Sequence, residues 1–165
     1  CNEDVIGAVD NVKQIKDAGL KVKGFFIIGY PGETEKDFED TISLVKKIEF
    51  INSYSFIFSP RPGTPAATKI INNSEKSKKR LKKLQNILEN IQFENNKNHF
   101  EKYCEVLVEN KLKDQEKYFG RTKNMIPVIF ESDNCKPGDV VDVKIISFKK
   151  KNLFGLHKIN KIKAA

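Results

Sequence analysis

The stretch Ser59-Pro60-Arg61-Pro62-Gly63-Thr64-Pro65-Ala66, led in by Tyr54-Ser55-Phe56-Ile57-Phe58, decides how the first half of this 165-residue chain reads. The bulky apolar residues predict a buried strand. Three prolines and a glycine then stiffen the loop that leaves it and set Arg61 at the strand's C-terminal end, where α/β proteins place their chemistry. A second segment of the same kind lies upstream, where Gly24-Phe25-Phe26-Ile27-Ile28 runs into Gly29-Tyr30-Pro31-Gly32-Glu33-Thr34. Two strands ending in Gly/Pro loops point to one shared site.

Around these strands the spacing is helical. Val5, Ala8, Val9, Val12 and Ile15 predict a helix over residues 3–18, with Glu3 and Asp4 in its first turn and Gly19 as its stop. Lys21 to Ile28 reads as a strand. Thr34 with Asp37 forms a capping box, Phe38, Ile42, Val45 and Ile48 supply the buried face of the next helix, and Ser53 to Phe58 is the second strand. The order α-β-α-β, with strands too apolar to be exposed on either face, demands a parallel sheet covered by helices. Two strands cannot protect their own edges, and a complete barrel of this type needs on the order of 250 residues. This portion therefore reads as part of a larger barrel, with an exposed edge and an adhesive apolar face.

Residues 68–74 mark a boundary, with Ser74 as N-cap of a long helix that runs to about Lys102. Leu81, Leu84, Ile87, Leu88, Ile91 and Phe100 lie along its stripe. Lys78, Lys79, Arg80, Lys82 and Lys83 crowd its first turns, against the helix dipole, and so call for nearby acids or a use. Short β-rich segments follow: Tyr103 to Glu109, Tyr118 to Lys123, Ile126 to Glu131, Val140 to Ile146 and Leu153 to Lys158. Five short strands separated by polar breaks predict a small barrel of the OB-like kind. The fold class is thus α/β plus all-β, with a partial parallel (β/α) barrel over 1–74, a basic amphipathic helix over 75–101 and the small barrel over 102–165.

Charge separates the halves. Residues 1–74 carry nine Lys/Arg against ten Asp/Glu, whereas residues 75–165 carry 21 against 12, so the whole net charge of +8 lies in the second half. Such asymmetry marks a nucleic-acid-binding portion joined to a more neutral one. Lysine far outnumbers arginine, the better bidentate reader of phosphate, so a lysine-rich solvated surface is the competing reading. Cys1, Cys104 and Cys135 stand far apart, without metal-ligand spacing, and no secretory segment precedes them; they read as free thiols of a reducing cytoplasm, with no metal site. No apolar run approaches the roughly 20 residues needed to cross a bilayer.

The ordered signature G-Y-P-G-E-T, acidic helix, strand, S-P-R-P-G-T-P-A over about residues 24–69 resembles the closing part of the barrel of radical S-adenosylmethionine (SAM) methylthiotransferases, the MiaB-type tRNA-modifying enzymes and their relatives. Val106-Leu107-Val108-Glu109, Gly120-Arg121-Thr122-Lys123-Asn124, Pro137-Gly138-Asp139-Val140-Val141 and Leu153-Phe154-Gly155 stand where the TRAM RNA-binding module of that family has similar segments. Phe25 departs from the family pattern, which has an Asp there. The resemblance implies SAM and two [4Fe-4S] clusters in the full-length protein, with the cluster cysteines absent from this chain, which is then inactive alone. It also implies N-terminal domains of the same protein as partners, tRNA at the anticodon stem-loop as substrate, methylthio transfer to isopentenyladenosine beside the anticodon, and a cytoplasmic monomer. Threonylcarbamoyladenosine and ribosomal-protein methylthiotransferases, and a non-catalytic TRAM RNA-binding fragment, are the alternatives.

By the same resemblance Gly29, Tyr30, Pro31, Gly32 and Glu33 lie near the cofactor, and Ser59, Arg61 and Gly63 form a second wall in which Arg61 pairs with a SAM carboxylate or an RNA phosphate. The competing reading of the first loop is a tight turn with Glu33 beside a helix N-terminus. Arg121, Lys123 and Asn124, with the basic turn Lys149-Lys150-Lys151, are the candidate RNA contacts. Tyr118, Phe119 and Phe154 are available for stacking on bases, though core positions are the commoner fate of aromatics in so small a barrel. His99 and His157 are isolated and carry no catalytic assignment.

Overall fold

The computed structural model describes residues 2–20, 22–50, 52–68, 74–113 and 116–157, and these form two compact units that divide after Ile91. The first unit begins with α1 (Asn2–Asp17), β1 (Lys23–Ile28), α2 (Glu35–Ile48) and β2 (Asn52–Ile57), followed by a 3₁₀ turn at Pro65–Thr68 and the long helix α3 (Ser74–Lys97). Lys21 and residues 69–73 of the expected boundary lie outside the described residues.

β1 and β2 pair in parallel, in register from Lys23 opposite Asn52 to Ile28 opposite Ile57. Parallel neighbours need a crossover, and α2 supplies it. Its start is the capping box read from sequence: Asp37 N donates to Thr34 Oγ1 at 3.2 Å while Thr34 N donates to Asp37 Oδ2 at 2.8 Å. Phe38, Ile42, Val45 and Ile48 are all buried, as expected, in a core with Val9, Phe26, Ile28, Phe50, Leu84 and Leu88. The helix expected to connect the halves thus lends two leucines to this core.

The adhesive apolar face expected of a partial barrel is present. β1 is not buried on both faces: Phe26 and Ile28 point into the core, while Phe25 is 70% and Ile27 59% exposed, and Tyr54 and Phe56 on β2 join them. Phe25 and Tyr54 stack at 5.3 Å between ring centroids. The helices of this unit cover one face of a two-stranded sheet, so alternate apolar residues remain bare on the other.

The second unit takes the last turns of α3 and a closed barrel of β3 (Tyr103–Lys111), β4 (Lys117–Thr122), β5 (Pro127–Ser132), β6 (Val140–Phe148) and β7 (Leu153–His157), in the order β3-β4-β5-β7-β6. α3 ends at Lys97, short of the expected Lys102; tight turns follow and Glu101 adopts φ 61° before β3 departs. Phe100 accordingly lies beyond the helix, its ring 5.9 Å from that of Phe148. Val106, Val108, Val128, Phe130, Val143, Ile145 and Leu153 fill the barrel. So small an interior leaves no room at two places: a Cβ on Gly155 would lie 2.6 Å from Lys144 O, and one on Gly120 2.7 Å from Val106 Cγ1. β-Bulges near Asn110 on β3 and Ile146 on β6 supply the bends that closure requires.

Candidate functional site

At the C-terminal end of β1, Tyr30-Pro31-Gly32-Glu33 makes a tight turn closed by Glu33 N donating to Tyr30 O at 2.9 Å, with Pro31 and Gly32 (φ 93°) at its centre. The turn brings the Glu33 carboxylate back over the strand end. Gly29 N donates to Glu33 Oε2 at 2.9 Å, and Arg80 Nη1 of α3 donates to the same oxygen at 2.7 Å. Arg80 Nη2 reaches Glu35 Oε2 at 2.8 Å, where Lys76 Nζ also lies at 3.0 Å. The Arg80 side chain is 5% exposed and its guanidinium lies 5.3 Å from the centroid of the Phe38 ring. Burial pulls the Arg80 pKa down, but the hydrogen bonds to Glu35 and Glu33 outweigh it and hold the group above its ordinary value. Hydrogen bonds from Arg80 and then Lys76 hold Glu35 below the usual carboxylate range.

Gly29 itself has φ 80°, and a Cβ there would run into the hydroxyl of buried Ser77, with Ser77 Cβ at 3.1 Å. Gly29, Glu33, Ser77 and Arg80 therefore form one locked joint between the first loop and α3. The side chains of the G-Y-P-G-E-T loop hold the helix, and the crowded positive charge at the start of α3 is met by Glu33, Glu35 and Glu75, the last 3.0 Å from Lys78. The sequence called for acids near this basic cluster but did not single out Arg80 as the buried member. The available signal was its identity: an arginine within a lysine run offers a fork that can engage two carboxylates at once.

The second loop faces a different surface. Ser59, Arg61, Thr64 and Ala66 line a groove of about 690 Å³ with Ile27, Phe56, Ile57 and Phe58. Thr64 N and Oγ1 donate to Arg61 O at 3.3 and 2.8 Å, and Gly63 takes φ 81° to permit that turn. Arg61 is exposed beside an apolar wall built by the bare face of the two strands.

In the barrel, register decides which basic residues meet. β7 runs parallel to β5, with Leu153 opposite Val128, so the turn before β7 and the turn before β5 lie at the same end. Lys123 and Asn124 in one turn and Lys149, Lys150 and Lys151 in the other thereby share one end of the barrel. Asn124 N donates to Thr122 Oγ1 at 3.3 Å, and Asn96 Nδ2 donates to Lys149 O at 2.8 Å and Lys150 O at 3.2 Å, which holds each turn in place. Arg121 stands on β4, its Nη1 2.9 Å from Glu109 Oε1 and its guanidinium 5.6 Å from the Phe119 ring. Of the three aromatics named above, Tyr118 is buried against Phe130, whereas Phe119 and Phe154 lie on the outer face. His99 and His157 each engage a backbone carbonyl, those of Asn95 and Asp142.

Residues 101–156 match the TRAM domain family. The tRNA-2-methylthio-N(6)-dimethylallyladenosine synthase of Pelagibacter ubique (strain HTCC1062) is 52% identical over 130 residues, which cover 79% of this chain and 29% of that relative. Neither compact unit is 130 residues long, so the likeness runs through both. The chain is a homologue of the C-terminal part of these MiaB-type synthases and carries a TRAM domain. The synthase of the same name from Wolbachia pipientis subsp. Culex pipiens (strain wPip) is 36% identical over 156 residues, 93% of this chain and 35% of that relative, and the one from Clostridium botulinum (strain Hall / ATCC 3502 / NCTC 13319 / Type A) is 45% identical over 132 residues. The chain spans about a third of the length of these curated relatives.

Likeness to these MiaB-type synthases implies iron–sulfur clusters in the full-length protein, and the described residues do not fit them: no three His, Cys, Asp or Glu side chains converge on a metal-sized site. Cys135 is buried with its sulfur 2.9 Å from Ser132 Oγ, and burial raises the Cys104 pKa, which suits a thiol and not a ligating thiolate. Among the described residues no helix is long and apolar enough to cross a membrane.

Proposed function

We propose that this chain supplies the last strands of the catalytic barrel and the RNA-holding module of an enzyme that adds a methylthio group to isopentenyladenosine beside the anticodon of tRNA. The observation that carries this reading is the 52% identity running through both units to a synthase whose name states that product. Clusters would be held by parts of the polypeptide outside this chain. SAM, when bound in such enzymes, supplies the radical and the transferred methyl group.

This chain's own contribution is positioning. The groove bounded by Ser59 and Arg61 fits one end of SAM or a substrate nucleotide, with Ile27 and Phe56 as an apolar wall and the Arg61 guanidinium as partner for a carboxylate or phosphate. Gly63 permits the turn that aims Arg61. Gly29, Pro31, Gly32 and Glu33 act one step removed, by fixing the neighbouring strand end against α3. In the barrel, Lys123, Asn124 and Lys149 to Lys151 would take the RNA backbone, with Arg121 nearby on β4. The acceptor and the cytoplasmic location rest on the family alone.

The test is the methylthio content of bulk tRNA, read by mass spectrometry, after expression of the uninterrupted gene encoding this chain in a host without its own methylthiotransferases, beside the Arg61→Ala variant. Methylthio-isopentenyladenosine that appears with the wild type and is lost with Arg61→Ala supports the reading. Methylthio-threonylcarbamoyladenosine would shift the acceptor. Unmodified tRNA from a folded, cluster-loaded protein would overturn the tRNA assignment.

A further inference from the structure

Outward-facing side chains of four barrel strands fall on a single rung. Phe119 on β4 lies opposite Ile129 on β5, Ile129 opposite Phe154 on β7, and Phe154 opposite Ser147 on β6, where the bulge turns Ile146 out to solvent. Side chains on one rung sit about 5 Å apart, so this is a continuous apolar strip across the barrel wall. Each of its aromatics carries a cation: Lys149 Nζ lies 5.5 Å from the Phe154 centroid, and the Arg121 guanidinium 5.6 Å from that of Phe119. Around Phe154 the strip sinks into a groove of about 560 Å³, within the range of ligand sites, flanked by Lys149 and Lys117. Glu131 is the one acid on its lining, 3.8 Å from Lys117.

We infer that this strip is a stacking platform for unpaired nucleotides, with bases laid on Phe154 and Phe119 and the flanking phosphates met by Lys149, Lys117 and Arg121. The inference rests on the RNA-binding reading of the barrel and names the face and the substrate form. An RNA duplex hides its base faces and offers only phosphate and sugar, which the basic turns at the barrel end can meet without the strip. A single strand or loop exposes π-faces, each worth roughly 1–3 kcal/mol on an aromatic. The pairing of both rings of the strip with a cation matches the alternating chemistry of a nucleotide, and the surplus of positive charge in this half favours a polyanion over an acidic peptide of similar length.

The experiment is anisotropy titration of the 165-residue chain with a labelled RNA hairpin carrying 2-aminopurine in its loop, and with a duplex of the same length, at fixed salt. Phe154→Leu keeps volume and apolarity but removes the π-face; it should weaken hairpin binding about 5- to 150-fold and abolish the 2-aminopurine quenching, while duplex binding changes less than about twofold. Phe154→Tyr should retain both signals, and Phe119→Leu should act in the same direction as Phe154→Leu. Should Phe154→Leu not fold, Lys149→Gln carries the test, lowering the salt slope for the hairpin by about 0.7 to 0.9. Wild-type affinity and quenching in both leucine variants would overturn the platform and leave the RNA-binding reading standing. Absence of binding to either RNA at low salt would overturn that reading, and the platform with it.

Discussion

Arg80 and Glu33 meet at 2.7 Å across 47 residues of sequence, both side chains nearly sealed from water at 5% and 10% exposure. This pair joins a loop that looks catalytic in sequence to a helix that looks like a solvated connector. Arg80→Ala would take the buried Glu33 carboxylate's arginine partner away and should destabilise the first unit by about 3 kcal/mol. The contact to Glu35 adds little, because that carboxylate is 56% exposed. Arg80→Lys can serve one acid but not both and should fall between. Urea melts followed by circular dichroism, with hydrogen exchange to assign the loss to residues 23–57, check this.

Gly29→Ala combines a left-handed backbone with a collision at Ser77 and should cost about 1–3 kcal/mol. Ser77→Ala removes the hydroxyl that the new methyl meets, so the double variant should lose less than the sum of the two single losses. Additive losses would show that backbone conformation alone selects glycine here.

The acid side of the stability profile follows from Glu35 and Asp37. Hydrogen bonds from Arg80 and Lys76 lower the first, and those from the Thr34 backbone and side chain lower the second. Folded, each binds a proton less readily than in the unfolded chain, so the stabilisation is complete above the ordinary values of 4.5 and 3.8 and is lost as pH falls through the lower folded values. Melting temperature of the first unit should hold from neutral pH to about pH 5 and fall below it. Glu35→Gln should flatten the upper part of that decline.

Asn96 is almost completely buried, and its amide donates to two carbonyls of the Lys149–Lys150 turn. Asn96→Ala should cost the second unit about 1–3 kcal/mol by leaving those carbonyls without this donor. Asn96→Asp should cost more, since a carboxylate would face two carbonyl oxygens. Amide exchange in residues 149–152 should accelerate in both, while the barrel core around Val143 stays protected.

The bare face of Phe25, Ile27, Tyr54 and Phe56 should make the 165-residue chain self-associate and bind a hydrophobic dye. Phe25→Ser with Phe56→Ser should shift it toward monomer in sedimentation and reduce dye fluorescence, with the helical signal kept because neither side chain enters the core. Unchanged association would place the adhesive surface elsewhere.

Local features were legible in the chain itself. The capping box needs only Thr34 and Asp37 three positions apart, the turn only Pro31 before Gly32, and the buried face of α2 only its 3.6-residue period. Five strands of the small barrel follow from alternation between polar breaks, and the two Gly/Pro loops by themselves carry the resemblance to the methylthiotransferases. The apolar runs in β1 and β2 left one point open for a physical reason. An uninterrupted run reports that both faces avoid water in some setting, and it is silent on which face these particular helices cover.

The rest was decided by contacts distant in sequence. Neither residue of the Arg80–Glu33 pair has a neighbour in the chain that betrays the other, and an arginine in a lysine run has the same pattern whether solvated or buried. The order β5-β7-β6 places two basic turns at one end and lines up Phe119, Ile129 and Phe154, because strand pairing sets register between segments that no local period relates. Sequence alone determined which segments become helix or strand and which family they resemble. Tertiary packing alone determined which glutamate holds the helix and which phenylalanines face out, since both depend on how separate segments compete for the same interior.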